Sequence, residues 1–255
     1  MEFFDTHSHY NDEKFDQDRD QLIRETFASG ITKFMCIGYD IESSKKAIQI
    51  AEKYENIYAT CGISPNDIED VEINCLKEIE EMAKNPKVKA IGEIGLDYYW
   101  EKEETMRQKQ KDFFIKQIEI ANRLHLPIVI HTRDAYIDTI KVLTENKCER
   151  TGIFHCCPLN NELIKDGLKL GYYISFSGVI TFKNSKPEMP VGQVPLDKLL
   201  IETDSPYLSP EPYRGQRNDS RKVIEVARKI AQIKNMDIEA IAKITYENAL
   251  KVYQF

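Results

Sequence analysis

The segment FFDTHSHYND, residues 3–12, opens on two phenylalanines and then sets Asp5, His7 and His9 at every second position. Its first half has the aromatic and β-branched character of a strand buried against other elements. The turn after such a strand separates the α/β folds from one another. A doubly wound dinucleotide fold continues from its first strand into a Gly-rich phosphate turn of the G-x-G-x-x-G type. This chain has no such turn after its first strand, which directs the reading toward a barrel.

Outward from this segment, seven further apolar runs of strand length recur: KFMCIGY (33–39), IYATCGI (57–63), VKAIGEIGLDY (88–98), PIVIHTR (127–133), GIFHCC (152–157), YYISFSG (172–178) and KLLIETDSP (198–206). Most are continuous and β-rich, as parallel strands covered on both faces should be. Amphipathic stretches separate them. Leu22, Ile23, Thr26 and Phe27 mark a helix ending at Gly30, and Ala47, Ile50, Ala51 and Tyr54 mark the next. Leu76, Ile79 and Ala83 mark a third, and Phe114, Ile118 and Ala121 a fourth. Residues 134–146 and 160–170 read as two more, and 219–233 and 237–253 as a closing pair. The proline-bearing segment 179–197 is the least helical connection. Eight strands alternating with helices predict an α/β chain folded as a (β/α)8 TIM barrel, a single domain over residues 1–255. An open doubly wound sheet is the rival.

Composition bounds the function. With 42% hydrophobic and 30% charged residues, the chain suits a soluble globular protein with a sizeable core. No apolar run approaches the ~20 residues that cross a bilayer, and the N-terminus lacks a basic and then apolar leader, so a cytoplasmic location without membrane contact is expected. The six cysteines form no C-x-x-C pair and read as free, mostly buried thiols. A net charge of -7 argues against broad adhesion to nucleic acid. It leaves room for a local positive site, because bound divalent ions add charge that the count omits.

The histidines carry the functional signal. Barrel active sites form where strands end and βα loops begin. His7 and His9 end strand 1, His131 ends strand 5 and His155 lies late in strand 6, so four of the five histidines fall at one end. Glu93 in strand 4 and Asp204 in strand 8 join them. One histidine, or H-x-H alone, is a weak signal; their convergence points to a metal site. His125, before Pro127, reads as structural or solvent-facing. Alternation puts Asp5, His7 and His9 on one side, and likewise Glu93, Gly95 and Asp97, then His131 and Arg133, His155 and Cys157, Glu202 and Asp204. Asp5 and Glu202 are then expected one layer deeper, accepting the distal imidazole N–H groups. Six ligands exceed the three protein ligands of one catalytic zinc, and two ions fit better. Glu93 is the natural bridge. One ion would take His7, His9, Glu93 and Asp204, the other Glu93, His131 and His155. The donors suit Zn, Mn, Fe or Ni better than a calcium cage.

These residues resemble a known family. FFDTHSH, AIGEIGLDYYW, LPIVIHTRDA, ISFSGVITFKN, LLIETDSPYLSPEPYRGQRN and ENALKVY together are similar to the TatD family of metal-dependent hydrolases, within the amidohydrolase superfamily, over nearly the whole chain. GEIGLDYY and ETDSPYL with PYRG and RN are the specific motifs; D-x-H-x-H is shared more widely. The resemblance implies a TIM barrel with a two-metal centre and, as in many members, a deoxyribonuclease using Mg or Mn. It places the metal ligands on His7, His9, Glu93, His131, His155 and Asp204. Two segments depart from the family pattern: HCCPLN stands where HCFSG is common, and RNDS where RNEP is common, both expected near the mouth and so to bear on substrate preference.

The expected chemistry is exonucleolytic hydrolysis of DNA phosphodiesters at single-stranded ends, with RNA as a second candidate substrate and the chain a monomer or weak oligomer. Asp204 is the expected general base, Glu93 the bridge and Glu202 the supporting carboxylate. Arg133, Lys183, Arg214 and Arg217 are candidate phosphate contacts. Tyr98, with Tyr99 and Trp100, is a candidate for base stacking, as are Tyr207 and Tyr213, although packing under the loops is the favoured reading for Tyr207. An amide, ester or lactone hydrolase using the same centre is the alternative, and a binding module without turnover is the third reading.

Overall fold

The computed structural model describes residues 1–255. Eight strands run parallel in chain order: β1 (Phe3–Ser8), β2 (Ile31–Cys36), β3 (Ile57–Cys61), β4 (Val88–Asp97), β5 (Ile128–Arg133), β6 (Gly152–Phe154), β7 (Tyr173–Phe176) and β8 (Leu199–Ile201). Between and after them lie α1 (Arg19–Ala28), α2 (Ile41–Lys53), α3 (Leu76–Met82), α4 (Glu104–Leu124), α5 (Tyr136–Glu145), α6 (Asn161–Lys169), α7 (Glu188–Gln193), α8 (Val223–Lys234) and α9 (Ile238–Val252). The sheet closes on itself beyond β8: the Asp204 N–H donates to the His7 carbonyl at 2.9 Å and the His9 N–H to the Ser205 carbonyl at 2.7 Å. The predicted TIM barrel is therefore the observed fold. The connection expected to be least helical holds two 3-10 turns, Gly178–Thr181 and Leu196–Lys198, and the six-residue α7.

Local chemistry sets the helix limits. Asp40 caps α2 through the Ser43 N–H, and the Ser43 side chain answers the Asp40 N–H, a reciprocal capping box. Asn160 caps α6 through two backbone N–H groups. His125 ends α4 in the left-handed region, φ 53°, with its side chain exposed near Glu149, in line with its reading as structural or solvent-facing.

The buried apolar side chains fall in two compartments. The larger lies between the strands and the surrounding helices. The smaller fills the barrel floor: Phe4, Met35, Ala90, Val129, Ile153 and Leu200 meet inside the sheet, and Ala249, Val252 and Tyr253 from the α9 end cover them. The Tyr253 hydroxyl donates to the Thr6 carbonyl at 2.9 Å. All six cysteines are free.

The expectation for Asp5 is overturned. Phe4 faces the barrel floor, and β1 shifts register against β2 between Asp5 and Ser8. The irregularity resets the alternation, so Asp5 does not lie beneath His7 and His9. It is fully buried and reaches the segment after β8 instead, accepting the Thr203 N–H at 2.9 Å, the Thr203 hydroxyl at 2.6 Å and the Ser220 hydroxyl at 2.6 Å. It also accepts its neighbour's backbone N–H, from His7, but no imidazole N–H. Burial pushes its pKa up to about 7, against these four donors. The RNDS departure thus bears on barrel closure, since its Ser220 is one of those donors, rather than on an open mouth. Asp5→Ala leaves several buried donors without an acceptor and should cost about 3 kcal/mol, and Ser220→Ala about 1 kcal/mol, both measurable by chemical denaturation.

Candidate metal centre

Five strand ends deliver the site. His7 closes β1 and His9 lies just beyond it; Glu93 lies within β4; His131 lies in β5; His155, Glu202 and Asp204 come just after the short β6 and β8. Strands 6 and 8 are shorter than their apolar runs suggest, because the backbone turns at Cys156 (φ 37°) and Asp204 (φ 58°) to aim these groups at the axis. In β4 the register against β5 shifts between Ile91 and Ile94, which turns Glu93 to the interior although Ala90 already faces it. Gly95 makes the next step possible: its φ is +143°, and a Cβ there would stand 2.0 Å from the His131 carbonyl oxygen.

The candidate ligands meet in two groups around one carboxylate. Glu93 Oε2 stands 3.4 Å from His7 Nε2 and 3.9 Å from His9 Nε2. Asp204 Oδ1 faces the same two nitrogens at 3.5 and 3.3 Å, and these nitrogens are 3.1 Å apart. Glu93 Oε1 stands 2.9 Å from His131 Nδ1 and 3.2 Å from His155 Nε2. Within each of three overlapping groups, His7–His9–Glu93, His7–His155–Asp204 and Glu93–His131–His155, the ligand atoms lie within 4.8 Å of one another. Donors bound to one ion at about 2.1 Å stand roughly 3.0–3.4 Å apart, so the separations fit coordination of a cation by these residues.

The electrostatics agree. Burial opposes ionisation of Glu93, yet the charge of His155 and hydrogen bonds from His131, His155 and His7 hold its carboxyl well below the usual range. Asp204 is likewise held to about 2, against burial, by the hydrogen bond from His9 and the charges of His7 and His155. Burial and the neighbouring His155 depress His7, favouring the neutral ring that ligates metals. His9, His131 and His155 are raised despite burial: Asp204 acts on the first, Asp97 and Glu93 on the second, and Glu93 and Glu202 on the third. The carboxylates thus draw positive charge into the cavity, and a divalent cation answers the same field.

Two carboxylates stand behind the imidazoles. Glu202 is fully buried, accepts the Cys156 N–H at 2.6 Å and places Oε1 3.4 Å from His155 Nδ1. Asp97 contacts His131 Nε2 at 2.9 Å, a role that sequence reading missed. Alternation put Asp97 on the Glu93 face, and its place one residue past Leu96 at the strand end was the available signal. Cys157 does not share a face with His155; it packs in the core and its thiol points to the Pro158 carbonyl. The substituted cysteine of HCCPLN is therefore a packing residue.

The candidate substrate contacts are scattered more widely. Arg133 is exposed, stacks on Tyr99 and makes no ion pair. Lys183 is exposed and also free of ion pairs. Arg214 lies over Phe182 and donates to the Ser209 carbonyl. Arg217 is engaged by Asp18 and the Lys14 carbonyl, and lies against Phe15. Tyr98 gives its hydroxyl to Asp138 at 2.7 Å, with Arg107 over its ring. Tyr207 gives its hydroxyl to Asp12 at 2.7 Å.

A barrel with this convergent cage is the architecture of a metal-dependent hydrolase. The family model described as TatD related DNase matches residues 4–254. The chain is similar to the metal-dependent hydrolase YabD of Bacillus subtilis, 41% identical over 253 residues that span 98% of each protein. It is 34% identical to the metal-dependent hydrolase YcfH of Escherichia coli K12, over 99% of this chain and 96% of that protein. The crystal structure of YJJV, a TatD homolog from Escherichia coli, superimposes with a TM-score of 0.93 at 25% identity, covering 99% of this chain and 98% of that one. The chain belongs to the TatD family of metal-dependent hydrolases. No helix is long and apolar enough to cross a membrane.

Asp97 fixes His131, so Asp97→Ala should weaken binding of Zn²⁺ or Mn²⁺ by about 10- to 100-fold. Asp97→Asn, which keeps an acceptor, should lose less. Isothermal titration of the metal-stripped proteins compares the three.

Proposed function

We propose that this chain is a deoxyribonuclease that hydrolyses phosphodiester bonds at single-stranded DNA ends with two divalent ions, Mg or Mn for activity, in a cage whose donors also accept Zn, Ni or Fe. The observation that carries the reading is the division of Glu93: one oxygen faces His7 and His9, the other faces His131 and His155. A carboxylate can serve two ions at once where an imidazole serves one. The family description adds DNA as the substrate class.

His7, His9, Glu93, His131, His155 and Asp204 would hold divalent ions, which would supply Lewis acidity toward the phosphoryl oxygen and acidify a bound water. Asp204 then has the properties of a proton acceptor: it stays ionised, its side chain is 15% exposed, and Oδ2 makes no hydrogen bond. Glu202 holds His155 and the turn at Cys156 in place. Arg133, Lys183 and Arg214, which make no ion pairs, can meet the phosphate backbone, whereas Arg217 must first leave Asp18. Of the aromatic candidates, Tyr98 is tied to Asp138 and Tyr207 to Asp12, which leaves Tyr99, Trp100 and Tyr213 for bases.

Labelled single-stranded DNA, with RNA in parallel, should release nucleotides with Mg²⁺ or Mn²⁺ and stop with chelator. Glu93→Ala should lose at least about 1,000-fold in kcat, and Asp204→Asn at least about 100-fold. Turnover of an ester or lactone without any DNA cleavage would sink the nuclease reading in favour of an amidohydrolase-type activity.

A further inference from the structure

The chain has one tryptophan, Trp100, and it is 68% exposed, with Tyr99 beside it 43% exposed. Both come directly after β4, on the rim of the candidate metal centre. They are held firmly there. Asp97 Oδ1 accepts the Tyr99 N–H at 2.9 Å and the Trp100 N–H at 3.2 Å. The two rings meet edge to face, 4.7 Å apart at 86°. Arg133, at the end of the adjacent strand, lays its guanidinium 3.6 Å from the Tyr99 centroid and 5.6 Å from that of Trp100. One face of Tyr99 is thus covered by Arg133, while the indole projects from the support of both.

The same Asp97 reaches the centre. Its Oδ2 contacts His131 Nε2 at 2.9 Å, and His131 Nδ1 stands 2.9 Å from Glu93. Asp97 is itself buried and its N–H is taken by Gln110. One rigid carboxylate therefore registers the exposed aromatic turn against the residues that gather round Glu93. A fixed, exposed indole beside an unpaired guanidinium offers a π-face for a base and a charge for the neighbouring phosphate. Trp, Tyr and Arg also anchor protein partners, but the link through Asp97 to His131 ties this cluster to the reacting centre.

We infer that Trp100, braced by Tyr99 and Arg133, is a stacking site for one unpaired nucleobase of a single-stranded nucleic acid, with Arg133 set for the adjoining phosphate. The inference rests on the nuclease reading for its ligand class. A base paired inside a duplex cannot reach the indole, so the platform selects single-stranded or frayed ends.

Trp100 is the sole source of indole emission, which gives a direct readout. Glu93→Ala protein is titrated with a twelve-residue oligodeoxythymidylate, with an abasic oligomer of equal length and charge, and with a blunt duplex. The thymidylate should quench the emission by half or more, and the abasic oligomer and the duplex by less than a tenth. In wild-type background, Trp100→Ala should raise KM for single-stranded DNA about 5- to 100-fold with kcat changed less than threefold, and Trp100→Phe should recover most of the loss. Equal quenching by the abasic oligomer, or an unchanged KM in Trp100→Ala, overturns the platform. Quenching by thymidylate without hydrolysis by the wild type refutes the nuclease reading and leaves the platform standing; hydrolysis without quenching does the reverse.

Discussion

The centre depends on one buried carboxylate being shared. Glu93 offers an oxygen to each of two imidazole groups, and the interior of a closed barrel lets histidines from three other strands approach it within about 3–4 Å. An isolated carboxylate at that depth would protonate. Glu93 remains ionised because His155, His131 and His7 hold its carboxyl well below the usual range. The burial that makes the site costly is also what strengthens every interaction within it.

That constraint reaches outward through carboxylates in the surrounding layer. Asp97 and Glu202 each hold one imidazole and also accept a backbone N–H in the loop beyond, so ligand and loop geometry are set together. Asp5 plays a different part. It knits β1 to the segment after β8, keeping the seam shut where His7, His9 and Asp204 meet. Three buried carboxylates near one cavity thus do different work according to the donors they face.

Much of this was legible in the sequence. Buried parallel strands write themselves as continuous β-rich runs, and the absence of a phosphate turn after the first one separated barrel from open sheet. The histidines of strands 5 and 6 and the acids of strand 8 stand where alternation placed them, with Val129, Ile153 and Leu200 marking the inward face below. Alternation failed for Asp5 because β1 carries a register irregularity, which composition does not announce. Asp97 was visible as a face but not as a partner, because its contact with His131 depends on two neighbouring strand ends. The basic residues were least legible, since a side chain's pairing, as Arg217 with Asp18, is decided by tertiary neighbours about 200 positions away in sequence.

The floor of the barrel has a consequence for how the molecule assembles. Phe4 is covered by Val252 and Tyr253, and the Tyr253 hydroxyl closes on the Thr6 carbonyl beside His7. The first strand therefore acquires its final neighbours from the far end of the chain, across a loop of nearly the full sequence. Contacts of such separation form late and slowly. In a chain made from its N-terminus, His7 and His9 are the earliest members of the cage to be synthesised and among the last to be fixed in place.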